Sequence, residues 1–505
     1  MRLKLFLLFS VILVNSLYSQ TTQKREFRGV WIHAVGETQY KNMSTYELQR
    51  YFINLLDELQ AMNFNAVIFQ VRPAADALYP SKLEPWSRYL TGKQGVAPNP
   101  YFDPMYFMIE ECHKRNMEFH AWINPYRVAL SDKDILDKSH IYYKYPDRFI
   151  KYDSKILFDP GIPQNRDFIC KVVKDIVKRY DIDAIHIDDY FYPYPVAGQK
   201  FPDDKSFKKY AKKQGFSPDQ LYDWRRNNVN LLIEKMNKTI KKEKSWVRFG
   251  VSPFGIYRNK RNTPDGSGSD TKGLEGYSEL YADVNLWVKK GWVDYNIPQV
   301  YWKIGHESAD YETLVKWWSR NNYGAHLYIG QDTKRTMEAP DLYYYSSDNQ
   351  LTRKMELAHQ TPAIYGNCFF HAYDLTKNLS GIADSLKTNF HRYPALIPAY
   401  LHLHDKSPKE VKSLKAEWTQ SGYLLKWQRD GNISNPKTAQ SFIIYRFEGN
   451  EYPNLEDASK IVKITRGTEY LMPFNDGTHT YKYVVTSVDR FHNESRKGEM
   501  QIVKL

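Results

Sequence analysis

Two adjacent carboxylates, Asp188 and Asp189, are the residues of this chain whose type and position best suit chemistry. They follow the apolar segment Ala184-Ile-His-Ile187, which has the length of a short buried strand, and an aromatic run comes directly after them. A strand end is held rigidly by its sheet while the next loop leaves it open, which suits a catalytic group. Carboxyl groups that act as acid, base or nucleophile are the usual means of hydrolysing glycosidic bonds.

Strand geometry sets the directions of these two side chains. Successive residues of a strand point to opposite faces, so Asp188 and Asp189 cannot point the same way. Asp188 shares a face with His186 and points inward if His186 fills a barrel, whereas Asp189 could also cap a turn. We predict both as catalytic. The sequence does not identify a further catalytic carboxylate. Four candidates follow other strands: Asp76, Glu307, Asp332 and Asp374. Of these, Asp76 and Glu307 are favoured.

The elements that must position these residues alternate along most of the chain. From residue 28 to about 390, eight short apolar segments alternate with amphipathic helical segments, which is typical of parallel strands with helical crossovers. The pattern predicts an α/β fold, a (β/α)8 TIM barrel. An open doubly wound sheet is the alternative, but its glycine-rich turn is missing from Ala34-Val-Gly-Glu-Thr38.

In such a barrel, functional side chains lie at the carboxyl ends of the strands. Those ends are rich in polar and aromatic residues, as expected of a sugar-binding cleft. Arg72 and Arg127 are suited to gripping a carboxylate on the substrate. The predicted substrate-binding residues are Trp31, His33, Gln70, Arg72, Asp76, Trp122, Asn124, Tyr126, Arg127, Tyr190, Ser252, Gln299, Tyr301 and Trp302.

The ends of the chain differ from its centre. Residues 1–20 combine a basic start, an apolar run and small residues, which predicts a signal peptide and export to the periplasm or the cell exterior. No other stretch is long enough to span a membrane. The barrel is predicted over 27–390 and a linker over 391–409. Seven short alternating segments in 410–505 predict a small all-β sandwich, and the sequence around Trp427 and Thr480–Asp489 resembles a fibronectin type III module.

Composition narrows the range of partners. The formal charge of +13 comes from scattered lysines rather than an arginine-rich arm, so we predict a solvated basic surface and no nucleic-acid partner. The 40 Tyr, 25 Phe and 12 Trp exceed what packing alone requires and favour stacking on sugar rings. Cys112, Cys170 and Cys368 are too far apart for a disulfide framework or a zinc site. No cofactor or metal is predicted.

Six motifs in the same order resemble the glycosyl-hydrolase-like family 10, a bacterial exported family formerly of unknown function. They are Arg28-Gly-Val-Trp31, Phe69-Gln-Val-Arg-Pro73 with Asp76-Ala-Leu-Tyr-Pro-Ser81, His120-Ala-Trp-Ile-Asn-Pro-Tyr-Arg127, Ile185-His-Ile-Asp-Asp-Tyr-Phe-Tyr-Pro193, Ser252-Pro-Phe-Gly255 and Pro298-Gln-Val-Tyr-Trp302. The resemblance implies a (β/α)8 glycosidase acting on a poly- or oligosaccharide, with peptidoglycan glycan strands as the substrate of some relatives. It also implies that Asp188 and Asp189 are the catalytic pair.

Two other function classes stay open at this stage. The unidentified second carboxylate leaves room for a non-catalytic carbohydrate-binding protein on a TIM-barrel scaffold. A metal-dependent barrel hydrolase would use His33, His120 and His186, although the first strand lacks the His-x-His pair expected of that class. The sequence does not decide the linkage that is cleaved, the stereochemical outcome, the role of the C-terminal module or the oligomeric state.

Overall fold

Eight parallel strands close into a barrel in which each strand pairs with its neighbours in sequence and the first pairs with the last. The computed structural model describes residues 23–37, 39–341, 349–474 and 476–505, so the predicted signal peptide lies outside the described residues. The predicted (β/α)8 barrel is confirmed. Its strands are β1 (Phe27–Ile32), β2 (Ala66–Arg72), β3 (Glu118–Ile123), β4 (Ala184–Ile187), β5 (Arg248–Val251), β6 (Tyr295–Asn296), β7 (His326–Asp332) and β8 (Ile364–Phe370).

A helix follows each strand and covers the outside of the barrel. The first begins at the predicted capping box, in which Ser44 accepts from the Glu47 N–H and the Glu47 side chain accepts from the Ser44 N–H. These helices are α1 (Thr45–Ala61), α2 (Pro104–Lys114), α3 (Pro163–Arg179), α4 (Leu221–Glu243), α5 (Val284–Lys289), α6 (Tyr311–Arg320), α7 (Leu351–Gln360) and α8 (Ile382–Ser385). Shorter helical turns lie in the loops: Arg88–Thr91, Ile141–Lys144, Asp204–Tyr210, Gly276–Glu279, Thr333–Glu338 and Ala372–Thr376.

Side chains fill the interior of the barrel. The Tyr295 hydroxyl lies 2.8 Å from Nδ1 of His120 and 3.2 Å from Nδ1 of His186. Glycine at position 250 makes room for the Tyr295 ring, since a Cβ there would lie 1.9 Å from a ring carbon. Burial lowers the pKa of both histidines, and the buried Glu118 carboxylate lies 2.9 Å from His120 Nε2 and pairs with Arg248. In barrels of this kind the functional side chains lie at the mouth, at the carboxyl ends of the strands.

Two segments depart from a regular alternation of strands and helices. In the segment 294–301 only Tyr295–Asn296 pairs as a strand. Pro298 has no N–H to donate to a ladder, and beyond it Gln299 forms isolated parallel bridges with Phe254 and Gly330. The stretch after β3 contains a three-stranded antiparallel sheet of Arg127–Ala129, Phe149–Tyr152 and Lys155–Phe158.

The C-terminal part forms two antiparallel sheets, in agreement with the predicted small all-β domain. One sheet has three strands, in the order Lys412–Thr419, Gly422–Gln428 and Glu469–Leu471. The other has four, in the order Ile461–Thr465, Ser441–Glu448, Thr480–Val488 and Glu499–Lys504. Their inner faces meet around Leu425, Trp427, Phe442 and Tyr483. The strands are β9 (Lys412–Thr419), β10 (Gly422–Gln428), β11 (Ser441–Glu448), β12 (Ile461–Thr465), β13 (Glu469–Leu471), β14 (Thr480–Val488) and β15 (Glu499–Lys504).

The segment predicted as a linker, 391–409, is packed against the amino-terminal end of the barrel. The Leu396 backbone exchanges hydrogen bonds with Lys24 and Glu26 just before β1. The β-domain also reaches the barrel directly, because His492 Nε2 lies 2.6 Å from the Glu118 carboxylate. These contacts lie at the end of the barrel opposite the mouth. Within the described ranges, no helix combines the length and apolar character needed to cross a bilayer.

Candidate active site

Asp188 lies at the end of β4 and is held by two side chains at the end of β3 along the barrel mouth. The Trp122 indole N–H donates to its carboxylate at 3.2 Å, and the Asn124 amide donates at 3.1 and 3.2 Å. Trp122 is paired in register with His186, so Asp188 lies on the interior side, as strand alternation predicts. Burial raises the pKa of Asp188, while the Arg127 charge and these donors act in the opposite direction.

Asp189 points to different partners, as expected for the next residue of the chain. The Tyr194 hydroxyl donates a hydrogen bond to its carboxylate, and Gln299, beyond β6, also lowers its pKa, while the Gln299 amide donates to the Ser252 main-chain carbonyl at 2.9 Å. Burial raises the pKa of Asp189 to about 6, and the negative charge of Asp188 adds to this effect. The two neighbouring carboxylates therefore sit in different environments: Asp188 receives nitrogen donors and a nearby cation, and Asp189 receives a phenol and a nearby anion.

Aromatic side chains surround the two aspartates. Tyr190 is 41% exposed and stacks on Arg127, with 4.7 Å between the guanidinium carbon and the ring centroid. Tyr194 lies 5.6 Å from Tyr190 between ring centroids. Farther round the mouth, Tyr301 stacks on Phe370, and Trp302 packs edge-on against Phe254. The predicted residues Tyr190, Gln299, Tyr301 and Trp302 are thus brought to one rim, with faces suited to sugar stacking.

Two predicted substrate ligands are instead used inside the protein. Arg72 is fully buried and forms a bidentate ion pair with Glu84, and its remaining donors bond the main-chain carbonyls of Asn124 and Pro125. Asp76 is fully buried and accepts from the Gln94 amide at 3.1 Å, and its burial raises its pKa to about 6. Both residues hold the loop after β2 through these buried contacts.

Three further predicted residues support the mouth from below. The Gln70 side-chain oxygen accepts from the Ala34 and Val35 N–H groups at 2.9 and 3.1 Å and so holds the loop after β1. The Ser252 hydroxyl lies 3.0 Å from His186 Nε2. The Trp31 indole N–H points at the same nitrogen at 3.4 Å, and its ring is packed in the barrel interior. These contacts fix the layer directly beneath Asp188.

The remaining carboxylate candidates lie apart from Asp188. Asp332 caps the helical turn Thr333–Glu338 by accepting from the Arg335 N–H. Asp374 lies 3.6 Å from His371, which packs against His33. The Glu307 side chain is 89% exposed and reaches only Lys272, at 4.0 Å. The acid that accompanies Asp188 in the structure is Asp189, and the two favoured alternatives, Asp76 and Glu307, serve other purposes.

The three histidines considered as metal ligands do not converge. His120 and His186 share the Tyr295 hydroxyl inside the barrel, whereas His33 packs on His371 at the rim. Burial and the neighbouring His371 lower the pKa of His33 to about 4. In the part of the chain that the structure describes, no group of three or more His, Cys, Asp or Glu side chains has the arrangement of a metal site.

Sequence reasoning did not single out one residue that lies next to the two aspartates. Tyr192 is buried against Phe201 and Tyr281. The residue of this loop that donates to Asp189 is Tyr194. The segment Tyr192-Pro-Tyr-Pro195 held a usable signal, because the proline on either side of Tyr194 breaks regular structure and turns that side chain back toward the strand end.

Comparison with known proteins identifies the family of this chain. The family model for glycosyl hydrolase-like 10 matches residues 26–343. Glycosyl hydrolase YngK of Bacillus subtilis (strain 168) is 43% identical over 485 residues, covering 94% of this chain and 93% of that protein. Glycosyl hydrolase DigH of Escherichia coli (strain K12) is 36% identical over 385 residues, covering 71% and 86%. Among solved structures, the PgaB (BpsB) glycoside hydrolase domain of Bordetella bronchiseptica has a TM-score of 0.47 at 11% identity, covering 72% and 98%. The chain belongs to the glycosyl hydrolase-like 10 family.

Proposed function

We propose that this chain is an exported glycoside hydrolase that cleaves a bacterial polysaccharide, with peptidoglycan glycan strands as its substrate. The observation that carries the proposal is the pair Asp188 and Asp189, two buried carboxyl groups at one strand end whose pKa values are both raised by burial and which receive different hydrogen-bond donors. Family membership and the two relatives named glycosyl hydrolase support the reaction class. The signal-like residues 1–20 support export.

The two environments suggest a division of labour. Asp189, whose pKa is raised to about 6 by burial and by the charge of Asp188, is mostly protonated below that pH and is suited there to protonate the leaving glycosidic oxygen. Asp188 accepts from Trp122 and Asn124 and is suited to carry the negative charge. As the ionised group it would attack the anomeric carbon or activate a water, depending on the carboxyl separation in the complex.

The neighbours of the pair would hold the sugar. Tyr190, Tyr301 and Trp302 present ring faces at the mouth, and Gln299 presents an amide next to Asp189. Stacking on aromatic rings and a few placed hydrogen bonds are the usual means of orienting a sugar. A glycan that enters along this rim would bring its glycosidic oxygen to Asp189, with Asp188 beside it.

One observation favours a second candidate, a carbohydrate-binding protein without hydrolytic activity. The Asp188 and Asp189 side chains are only 3% and 2% exposed, because the loop that contains Tyr190 and Tyr194 covers them. For hydrolysis this loop must move when the glycan binds, as loops at barrel mouths commonly do. If it does not move, the mouth can still bind sugars on its exposed aromatic rim.

Reducing-end release from purified glycan strands separates these two candidates. We expect release by the mature chain and a loss of at least about a thousandfold in Asp188→Asn and in Asp189→Asn, since each removes a group that acts in the transition state. Asp204→Asn is the matched control, because Asp204 lies on the surface and pairs with Lys200. Undiminished release by Asp188→Asn would reject the assigned role. Saturable binding by the wild type with no release would establish the binding protein.

A further inference from the structure

A cavity of about 460 Å³ opens beside Asp188, between the aromatic loop and the three-stranded sheet that follows β3. Its walls include Tyr190 and Tyr194 on one side and Leu157 and Phe158 on the other. Asn124 belongs to both the cavity and the candidate active site, because its amide donates to Asp188. The volume falls within the range of roughly 300–1,000 Å³ that small-molecule sites occupy.

Arg127 brings a positive charge to this cavity. Its side chain is 9% exposed, and its guanidinium contacts the Tyr190 ring and, at 3.4 Å, the Pro73 carbonyl. Among the described residues, no carboxylate lies within 4.0 Å of the guanidinium, so the buried charge has no ion-pair partner at contact distance. The other cation of the cavity wall, Lys155, is already paired with Asp153 at the rim.

Tyr126 contributes to the wall of the same cavity and is 2% exposed. The charged and polar groups that act on its hydroxyl are Arg166, Cys170 and Asp159, which lie outside the cavity wall. The cavity thus combines apolar walls with one guanidinium that has no ion-pair partner at contact distance among the described residues.

We infer that this cavity is a subsite that binds a sugar ring carrying a carboxylate, with Arg127 pairing the carboxylate. A guanidinium offers two parallel N–H groups that match a carboxylate, and the apolar walls strengthen the pair by excluding water. A neutral sugar in the same place would form no ion pair with Arg127, whose charge would then be balanced by Asp188 from beyond contact distance. This inference rests on the proposed hydrolase and adds a specificity to it: an anionic sugar sits next to the bond that is cleaved.

The position of the cavity gives this subsite a role in the reaction. Arg127 stabilises the ionised form of Asp188 in the free protein. A carboxylate bound to Arg127 would offset part of that effect. The sugar ring that carries this carboxylate would lie next to Asn124, whose amide donates to Asp188. The subsite therefore selects anionic glycans and sets which bond lies at Asp189, and it binds the sugar without taking part in bond cleavage.

The test compares two forms of one substrate. Peptide-free peptidoglycan glycan strands carry lactyl carboxylates on alternate sugars, and chemical reduction converts these groups to alcohols without shortening the chain. For the wild type we expect kcat/KM on the native strands to exceed that on the reduced strands by about tenfold to a hundredfold, the usual worth of a charge-assisted hydrogen bond. In Arg127→Gln this ratio should fall to about one.

The ratio separates specificity from the influence of Arg127 on Asp188. A changed Asp188 lowers the rate on both substrates alike and leaves the ratio untouched. Arg50→Gln is the matched control, since Arg50 is an exposed arginine on α1 that also stacks on a tyrosine, Tyr46, at 5.7 Å. A ratio in Arg127→Gln equal to that of the wild type, or a wild-type ratio of one, overturns the subsite.

A binding measurement keeps this test independent of catalysis. Calorimetric titration of Asp188→Asn with native and reduced oligosaccharides should show tighter binding of the native form, and adding Arg127→Gln should remove the difference. Discrimination that depends on Arg127, without any reducing-end release by the wild type, would overturn the hydrolase alone. Equal binding of both oligosaccharides overturns the subsite whether or not the wild type is active.

Discussion

The Asn124 side chain donates to both carboxylate oxygens of Asp188, at 3.1 and 3.2 Å. The side-chain oxygen of the same Asn124 accepts from the main-chain N–H of Arg127 at 2.8 Å, and this hydrogen bond fixes the orientation of the Asn124 amide. A residue at the end of β3 thus holds the ionised form of a residue at the end of β4. The charge state of Asp188 therefore depends on a neighbour on a different strand, and it can be changed without touching the carboxylate.

Asn124→Ala should lower kcat/KM by about tenfold to a hundredfold, because a buried carboxylate loses a hydrogen bond that favours its charge. The pKa of Asp188 should rise, so the acidic limb of the pH–rate profile should move to higher pH. Trp122→Phe, which removes one donor and keeps a ring, should act in the same direction with a smaller effect. A profile for Asn124→Ala that superimposes on the wild type would contradict the assigned role.

Asp189 should set the alkaline limb of the same profile. If it must be protonated to act as the acid, activity falls as the pH rises through about 6. Tyr194→Phe removes a donor that lowers this pKa, so the limb should move to higher pH. Tyr222→Phe, at an exposed tyrosine, is the control and should leave the profile in place. A shift to lower pH in Tyr194→Phe would be incompatible with Asp189 as the acid.

Asp189 should also make folding stability depend on pH. Its pKa in the folded protein is about 6 against an ordinary 3.8, so folding favours its protonated form. This contribution is fully present below pH 3.8 and is lost as the pH rises through 6. The free energy of unfolding of Asp189→Asn minus that of the wild type should therefore be about 1–2 kcal/mol larger at pH 7.5 than at pH 5. Urea unfolding at both pH values measures this, with Asp204→Asn as the pH-independent control.

Arg72 and Glu84 should behave as a structural pair. Both side chains are fully buried, so removing one leaves an unmatched charge in the interior. We expect Arg72→Met to lower the free energy of unfolding by about 3–5 kcal/mol. Lys238→Met, which breaks the surface pair with Glu234, should change it by about 0.5 kcal/mol or less. An Arg72→Met variant that is as stable as the wild type but binds glycan more weakly would instead indicate that Arg72 is a substrate-binding residue.

Two glycines test how tightly the barrel interior is packed. A Cβ at Gly250 would lie 1.9 Å from the Tyr295 ring, so Gly250→Ala should cost about 3 kcal/mol or more. Gly291 has a φ of +63°, and a Cβ at that position would meet no atom within 4 Å, so Gly291→Ala should cost only about 1 kcal/mol of backbone strain. Thermal unfolding compares the two variants. Equal losses in both would mean that Tyr295 can shift and that the interior layer is not rigid.

The sequence by itself determined the architecture and grouped the polar residues that meet at the barrel mouth. The eightfold alternation of apolar strands and amphipathic helices specifies the barrel, because each segment must bury its apolar face against the next. Parallel strands in a closed barrel bring all carboxyl ends to one mouth, so Asp188, Asn124 and Gln299 could be grouped before their distances were known. Strand alternation also predicted that Asp188 and Asp189 would meet different partners.

Only the tertiary structure decided what each polar side chain does there. Arg72 and Arg127 both follow a barrel strand, yet Arg72 meets Glu84 while Arg127 faces a cavity without an ion-pair partner at contact distance among the described residues. Tyr192 packs inward and Tyr194 reaches Asp189, although they are two residues apart in one loop. Periodicity specifies backbone elements and faces because it follows from local geometry. Charge state and hydrogen-bond partners depend on groups far along the chain, and folding alone brings those groups together.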